Sequence, residues 1–324
     1  MRGLARYDLL GVTKVARATH IKALVLLPAF ALAGLTMACG AGGNGSGGTQ
    51  PSASASAAAP LPTETKDDKL AAMVPTAISA DGKIVVGQDQ SYAPNEFVDE
   101  SGKVVGFDVD LGNAIAQKLG LTAEYQNAAF SGILAGVGSG QYELAMSSFT
   151  INSERLQTVD MVSYYSAGTS LAVPKGNPDK ITLDDLCGKN IAVQQGTVQV
   201  DDLTKRSGEC TAAGKPAINM QQFQAQTDVN LQVQTRRSQA MLADSPVIDY
   251  AVKQTGGAVE IVGQPYDSAP YGIALKKGQG TYAQAVQGAV QAIIDDGTYD
   301  KILAKWGLNT AGAIKKADLN PAVS

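Results

Sequence analysis

Polar and charged residues follow four short apolar runs of this sequence, at positions where they could bind a small ligand. The four groups are Asp89 to Tyr92, Ser147 to Thr150, Gln194 to Gln199, and Asp244. If each run is a strand, each group lies just beyond its carboxyl end, where α/β sheets bind their ligands. Four such ends from two sheets can face one cleft, so the sequence predicts a ligand cleft there.

The composition excludes several classes of chemistry. The single histidine, His20, lies before the first plausible processing site, which excludes His-based triads, general bases and metal sites from the mature chain. We expect no metal and no cofactor. Beyond residue 38 the chain carries 21 basic and 29 acidic residues, because the first 38 residues hold five basic and one acidic. This net charge of −8 argues against nucleic acid as a partner.

The N-terminus has the pattern of a secretory signal peptide, which we assign to residues 1–38. Basic residues precede an uncharged apolar stretch at 23–35, and small residues then lead to Cys39. This stretch is shorter than the roughly 20 residues needed to span a bilayer. Cys39 resembles the lipidated cysteine of bacterial lipoproteins, although Thr36 stands where that motif prefers Leu. The alternative is an ordinary secreted protein in which Cys39 is a stray cysteine.

A flexible linker is expected from residue 39 to residue 82. In residues 40–62, 19 of the 23 positions are Gly, Ala, Ser or Pro, which is too little apolar surface to offset the ordering of the chain. A Gly-rich coil of this length spans roughly 35 Å on average. A lipid on Cys39 would therefore hold a mobile body at the extracellular face of the cell membrane.

Two further cysteines, Cys187 and Cys210, remain if Cys39 is lipidated. An even pair in an oxidising compartment predicts one disulfide. Two buried free thiols are the alternative.

From residue 83 onward, strand-like and helix-like stretches alternate. The strand-like stretches are 83–89, 122–126, 143–148, 171–174, 190–197, 217–223, 240–244, 258–262 and 271–275. The helix-like stretches are 106–120, 132–140, 245–254, 281–297 and 298–307, with further helices expected after 197 and after 223. This alternation predicts an α/β fold with mainly parallel sheets covered on both faces, in two lobes.

Several motifs in a fixed order carry a resemblance to a known family. They are Asp89-x-x-Tyr92-x-Pro94-x-x-Phe97, Gly106-Phe107-Asp108-Val109-Asp110-Leu111, the run Ser147 to Arg155, Gln195-Gly196-Thr197, Asp244-Ser245-Pro246, Tyr271-Gly272-Ile273-Ala274, and Asp296-Gly297-Thr298-Tyr299 through Lys305-Trp306. Over about residues 83–307 the chain resembles the extracellular solute-binding proteins, family 3, of ABC transporters for polar amino acids.

The resemblance implies a type II periplasmic-binding-protein-like fold, in which two hinge strands join two lobes. Each lobe would be a mainly parallel sheet flanked by helices. The first lobe would take residues 83–170 and 271–310, the second lobe would take 171–270, and 311–324 would form a tail.

The resemblance also implies a binding site for an amino acid. Arg155 matches the arginine that binds the ligand carboxylate, helped by Thr150 and by Thr197 and Val198 at a helix N-terminus. Asp244 matches the carboxylate that holds the ligand ammonium, helped by the carbonyl of Ser148. The alternatives are a solvated surface charge for Arg155, a plain strand-to-helix turn at 196–198, and a helix N-cap for Asp244.

The remaining site residues would surround the ligand side chain. Tyr92 and Phe130 match aromatic residues that enclose it, and ordinary core rings are the alternative. Asp89, Ser147 and Gln194 would meet its far end. Because Arg155 and Asp244 are neutralised by the ligand's own charges, Asp89 would be a surplus negative charge, which favours a cationic side chain.

The expected function is that of the extracellular substrate-binding component of an ABC importer. The lobes of a monomer would close on the amino acid and present it to a permease. The alternative is an enzyme resembling cyclohexadienyl dehydratases on the same fold, which would need a positioned acid or base in the cleft. The sensor module of a larger receptor is a third class, which the short segment after Trp306 disfavours.

Overall fold

The computed structural model describes residues 61–323. The signal peptide, Cys39 and the Gly-rich part of the expected linker lie outside the described residues and stay predictions. Within the described part, no helix is both long enough and apolar enough to cross a membrane.

The described chain contains strands and helices that alternate as predicted. The strands are β1 (Lys83–Gln88), β2 (Ser91–Tyr92), β3 (Glu96–Val98), β4 (Val104–Val105), β5 (Thr122–Asn127), β6 (Leu144–Thr150), β7 (Val159–Pro174), β8 (Asn190–Gln194), β9 (Asn219–Phe223), β10 (Ala240–Asp244) and β11 (Val259–Lys276). The helices are α1 (Asp68–Ala72), α2 (Thr76–Ser79), α3 (Phe107–Lys118), α4 (Phe130–Ser139), α5 (Arg155–Thr158), α6 (Val198–Ala212), α7 (Gln226–Gln234), α8 (Ser245–Gln254), α9 (Tyr282–Asp295) and α10 (Thr298–Trp306).

One eight-stranded sheet runs through both lobes, in the order β5-β1-β6-β11-β7-β10-β8-β9. At one end β5, β1 and β6 are parallel, and at the other end β10, β8 and β9 are parallel. The two central strands, β7 and β11, are antiparallel to each other and to their outer neighbours. The predicted α/β architecture, with parallel strands in each lobe and two hinge strands, is therefore confirmed.

The hinge strands β7 and β11 are longer than the sequence predicted. Separate strands were expected at 171–174, 258–262 and 271–275, but β7 spans 16 residues and β11 spans 18. Their pairing shifts register near the middle of the ribbon. There a Cβ on Gly168 would lie 2.8 Å from the carbonyl oxygen of Tyr266, so the close approach of the two strands requires glycine.

Helix α3 shows how the sequence pattern places an element on the sheet. Phe107, Leu111 and Ile115 recur on one face and are buried, as the helical period predicts. The helix ends at Lys118 with Leu119 as its C-cap, and Gly120 follows with a left-handed φ of 73°. Helices α9 and α10 pack beside α3, and together they cover the main core of the first lobe.

The flexible linker was predicted to reach residue 82, and this end of the prediction is corrected. Residues 68–79 form α1 and α2, and the Asp67 side chain caps α1 by accepting from the backbone N–H groups of Lys69 and Leu70. Val74 and Ile78 are buried in the core of the first lobe. These apolar side chains have enough surface to order a segment that the Gly-rich composition of 40–62 cannot order.

The N-terminal segment before α1 also docks on the first lobe. The Glu64 backbone N–H donates to the Gln117 side chain at 2.7 Å, and Lys118 Nζ lies 2.7 Å from the Glu64 carboxylate and 2.8 Å from Asp296. The described chain therefore begins on the first lobe.

The second lobe has two apolar clusters, one on each face of its sheet. Cys187 and Cys210 form a disulfide with a Cα–Cα distance of 5.6 Å, which confirms the predicted pair. Cys210 is buried in one cluster and ties α6 to the segment before β8.

The C-terminal segment packs along β7 in the first lobe. Ser163 donates its N–H to the Asp318 carbonyl at 2.9 Å, and Met161 and Asn320 exchange two further hydrogen bonds of 2.8 Å. Leu319 pairs with Val162. The edge of the hinge strand is therefore covered, and the described chain also ends on the first lobe.

Candidate ligand-binding site

The predicted strand ends meet at a small cavity between the lobes, with about 200 Å³ of empty space that is partly open to solvent. The residues that line it are Tyr92, Phe130, Ser148, Thr150, Arg155, Thr197, Val198, Gln199 and Asp244. All of these except Gln199 were predicted as site residues. The structure therefore brings together most of the predicted site.

Arg155 begins the short helix α5 and carries the cationic end of the cavity. Its Nη1 donates to the carbonyl of Thr150 at 2.8 Å, and its Nη2 donates to the carbonyl of Gly196 in the other lobe at 3.2 Å. The guanidinium carbon lies 5.6 Å and 5.4 Å from the ring centres of Phe130 and Phe149. Burial lowers the pKa of Arg155, and the nearby Asp244 charge opposes that shift. Held on two aromatic rings, the guanidinium still has N–H donors for a carboxylate.

Asp244 occupies the N-cap position of α8, yet its side chain does not cap the helix. Its Oδ1 accepts from Gln199 Nε2 at 2.7 Å, and its Oδ2 accepts from the Tyr271 hydroxyl at 2.8 Å. The N-cap alternative is therefore excluded for this side chain. Burial raises the pKa of Asp244, while these two hydrogen bonds favour the ionised form. Each carboxylate oxygen keeps a lone pair that can accept from a ligand ammonium.

Gln199 ends one of the four polar groups that the sequence placed at the cleft, but it was not itself predicted as a site residue. It lies in the first turn of α6 and is buried, and its amide donates both to Asp244 and to Thr169 Oγ1 on β7 at 3.0 Å. Its place in the sequence could have identified Gln199, because it follows Val198 directly in a helix whose N-terminus was already assigned to the site.

The rings of Tyr92 and Phe130 are buried in the core and also line the cavity, so the two interpretations of these residues are both correct. Tyr92 is 5% exposed, packs with the second lobe's cluster, and accepts a hydrogen bond from the Asp244 N–H at 3.3 Å. Phe130 stacks on Phe149 with ring centres 4.6 Å apart.

Ser148 and Thr150 end strand β6 at the cavity. Ser148 adopts a left-handed φ of 53°, which is uncommon for a residue with a side chain. Its N–H donates to Asp108 Oδ2 at 3.0 Å, and its hydroxyl accepts from Asn95 Nδ2 at 2.8 Å. These bonds hold the end of β6 in its unusual conformation.

Thr197 and Val198 lie where β8 passes into α6. Gly196 has a left-handed φ of 82°, and Thr197 turns its hydroxyl back to donate to the Gln194 carbonyl at 2.8 Å. The N-terminus of this 15-residue helix therefore faces the cavity beside Arg155, where the helix dipole favours an anion.

Three predicted residues, Asp89, Ser147 and Gln194, do not line the cavity but lie behind its wall. The Asp89 carboxylate accepts from Ser91 N and Oγ, from Phe130 N, and from Gln194 Nε2. Ser147 Oγ accepts from the Asp89 N–H at 3.0 Å. The Asp89 carboxylate is therefore well supplied with hydrogen bonds. None of the residues that contact it is a cation, so its negative charge is not neutralised, and burial raises the pKa of Asp89.

The two lobes are closed on each other. Besides the contacts of Arg155 with Gly196 and of Asp89 with Gln194, the Gln226 N–H in the second lobe donates to Ser91 Oγ at 3.0 Å. A Cβ on Gly196 would lie 2.9 Å from Ser131 Cβ across the cleft. The closed state therefore leaves no room for a side chain at position 196.

Two α/β lobes, two hinge strands and a cavity lined by charged and polar side chains between the closed lobes define a two-lobed solute-binding protein. The family model of bacterial extracellular solute-binding proteins, family 3, matches residues 84–309. The chain belongs to this family.

Curated relatives cover most of the chain. It is 33% identical over 253 residues to the arginine-binding protein ArgT of Corynebacterium glutamicum, covering 78% of this chain and 83% of that protein. It is 27% identical over 227 residues to the L-cystine-binding protein TcyJ of Escherichia coli K12, covering 69% and 82%.

The chain is also similar to solved structures of amino-acid-binding proteins. An ancestral arginine-binding protein bound to arginine is 36% identical, with a TM-score of 0.65, and matches 69% of this chain and 98% of that chain. An ancestral amino acid-binding protein, a precursor of cyclohexadienyl dehydratase, is 33% identical with a TM-score of 0.62 and matches 71% and 97%.

Proposed function

We propose that this protein is the substrate-binding component of an ABC importer and encloses one amino acid with a cationic side chain between its lobes. The observation that carries the proposal is the cavity between the closed lobes, which has Arg155 and Asp244 in its wall. These are the two charges that an amino acid needs when its own carboxylate and ammonium leave water.

The two ends of the cavity match the two charged groups of an amino acid. Arg155 and the N-terminus of α6 offer donors and positive potential to a carboxylate. Asp244 and the Ser148 carbonyl offer acceptors to an ammonium. In this arrangement the ligand bridges the first lobe, through Arg155, and the second lobe, through Asp244, so its binding favours the closed state.

A cationic side chain is favoured by the charge behind the cavity wall. Asp89 is buried and accepts from Gln194 Nε2 across the cleft at 2.8 Å, and a ligand cation that takes this place would supply the positive charge that Gln194 lacks. Relatives named for arginine binding occur among both the curated proteins and the solved structures. Glutamine is the main competitor, since an amide donates to Asp89 without a charge.

Calorimetry with arginine, lysine, glutamine and glutamate tests the ligand class. We expect arginine or lysine to bind best, and Asp89→Asn to weaken that binding about tenfold, or 1.4 kcal/mol. Asp185→Asn, at an exposed position of the second lobe, is the matched control and should leave the affinity unchanged. If glutamine binds better than both cationic ligands, or if Asp89→Asn binds arginine as tightly as the wild type, the cationic assignment is wrong.

The dehydratase alternative needs an acid or base in the cavity. Among the described residues that line it, Asp244 is the one carboxyl group, and it is held by Gln199 and Tyr271 in the position that an ammonium requires. Loss of a prephenate-like substrate on incubation with the purified protein would favour the enzyme instead.

Export, the lipid anchor on Cys39 and the monomeric state belong to the same proposal. Membership of an extracellular family supports export, and the anchor depends on the sequence pattern around Cys39. Mass spectrometry of the mature N-terminus tests it: an unmodified Cys39 would exclude the lipid.

A further inference from the structure

Two buried carboxyl groups in the first lobe have no part in the cavity wall. Glu96 on β3 and Asp108 on α3 are both 0% exposed and lie side by side. The Asp108 backbone N–H donates to the carbonyl of Asn95, the residue before Glu96, at 2.8 Å, and the two carboxyl groups accept from the adjacent residues Ser147 and Ser148. Among the described residues, neither forms a salt bridge with Lys or Arg. Two full negative charges on neighbouring carboxyl groups are strongly unfavourable in a buried environment.

The hydrogen bonds of the pair leave one oxygen of each group without a partner. Glu96 Oε1 accepts from Ser147 Oγ at 2.8 Å, and Asp108 Oδ2 accepts from the Tyr164 hydroxyl at 2.8 Å and from Ser148 N at 3.0 Å. Glu96 Oε2 and Asp108 Oδ1 are buried and have no hydrogen-bond partner in the described part of the chain. One proton between these two oxygens would satisfy both.

The surroundings indicate which group holds the proton. Asp108 lies in the first turn of α3, where the helix dipole stabilises an anion, and it accepts the bonds from Tyr164 and Ser148. Glu96 accepts from Ser147 alone. Burial and the neighbouring Asp108 charge raise the pKa of Glu96 well above its usual range. Burial also raises the pKa of Asp108, but the hydrogen bonds from Tyr164 and Ser148 oppose that shift.

The hydrogen bonds of Glu96 and Asp108 connect the pair to the cleft through Ser147 and Ser148. Ser147 holds the backbone of Asp89, and Ser148 lines the cavity with its left-handed φ of 53°. An unusual backbone conformation persists only where its surroundings enforce it. Here Asp108 and the Tyr164 hydroxyl accept from the Ser148 N–H, while Glu96 accepts from the neighbouring Ser147.

We propose that Glu96 and Asp108 share a single proton and that this pair positions Ser147 and Ser148 for ligand binding. The second part rests on the proposed function, because it requires that the cleft binds a ligand. Both residues are positioning residues, since each acts on the cavity through a serine of β6.

The proposal predicts how stability depends on pH. The titratable groups that face the pair are Asp89, Tyr92, Tyr125 and Tyr164, and they include no cation. The pKa of Glu96 is higher in the folded than in the unfolded state, so its stabilisation is complete below about pH 4.5 and is lost as the pH rises toward the folded pKa. Over that window the unfolding equilibrium constant increases up to about tenfold per pH unit.

Urea unfolding of the ligand-free protein between pH 5 and 7 tests the shared proton. Glu96→Gln is permanently neutral, and its amide can donate to Asp108 while accepting from Ser147. We expect the ratio of the unfolding constants of Glu96→Gln and wild type to fall at least about tenfold over this range. Glu100→Gln, at an exposed position nearby, should give a constant ratio. If Glu96→Gln also gives a constant ratio, the pair does not share a proton.

Arginine binding at pH 6 tests the positioning role. We expect Glu96→Gln to bind within about threefold of wild type and Glu96→Ala, which gives Ser147 no acceptor, to bind at least about tenfold more weakly. If Glu96→Ala does not fold, a Glu96→Gln affinity more than about tenfold weaker overturns the role. Equal affinity of all three proteins also overturns it. If the wild type binds no amino acid, the proposed function fails, while the unfolding experiment still decides whether the proton is shared.

Discussion

Asp244 illustrates how a residue's position and its chemistry can differ. Asp is a favoured N-cap, and Asp244 stands at the N-cap of α8, but its carboxylate is turned away from the helix by the donors Gln199 and Tyr271. Because Tyr271 lies on β11 and Gln199 also contacts Thr169 on β7, the carboxylate is tied to both hinge strands. Its direction is therefore set by tertiary contacts and not by the local sequence.

Arg155→Ala should weaken amino-acid binding by roughly 2 to 5 kcal/mol, at least about 30-fold, because the ligand carboxylate would be buried without its partner. Calorimetry measures this directly. The control is Arg237→Ala, an exposed arginine of the second lobe, which should bind normally. A change below about threefold for Arg155→Ala would return Arg155 to the role of a surface charge.

Motif order was enough to predict eight of the nine residues that line the cavity, all but Gln199, because these stand at or near a strand end or a helix start. It could not predict the partners of Asp89, since Gln194 lies 105 residues further along the chain and meets Asp89 only when the lobes close. For the same reason Glu96 and Asp108 were not assigned a role. Such contacts depend on the packing of distant elements.

The turn from β8 into α6 has two structural roles. Gly196 provides the left-handed backbone that aims the helix N-terminus at the cavity, and its missing side chain lets Ser131 of the other lobe approach. The turn therefore serves both anion binding and closure.

Gly196→Ala should disturb both the helix N-terminus and the closure of the lobes. The left-handed backbone costs an alanine about 1–2 kcal/mol, and the added Cβ also meets Ser131 in the closed state, so we expect at least about tenfold weaker binding. Gly214→Ala is the matched control, because Gly214 has a φ of 72° and nothing within 4 Å of its Cβ position. Calorimetry on both variants decides: equal affinities would show that the cleft does not close as described.

Element boundaries were predictable where a residue type marks them and not elsewhere. Gly120 marks the end of α3, and Pro246 marks the start of α8. Asp67 is a favoured N-cap residue type and could have marked the start of α1 in the same way. It was not used because the linker predicted from the Gly-rich stretch was extended over it. In the hinge, the sequence predicted separate strands at 258–262 and 271–275, where the structure has one long strand, β11.

For the whole molecule, stability and ligand binding should be partly separable, because the disulfide lies apart from the cavity wall. Closing a loop with a sequence separation of 23 stabilises a protein by about 3 kcal/mol on the chain-entropy model. We expect the double variant Cys187→Ser and Cys210→Ser to lose about that much free energy of unfolding, yet to bind arginine within about twofold of wild type. Urea unfolding and calorimetry measure the two quantities. A large loss of affinity would instead link the disulfide to the cleft.

Both ends of the described chain lie on the first lobe, through Glu64 at one end and Asn320 at the other. The second lobe is a single continuous insertion between β7 and β11. Mechanical tension applied between the two ends therefore passes through the first lobe alone and never across the cleft. A protein held at a surface by its N-terminus, and pulled or fused at its C-terminus, should open and close as freely as one in solution.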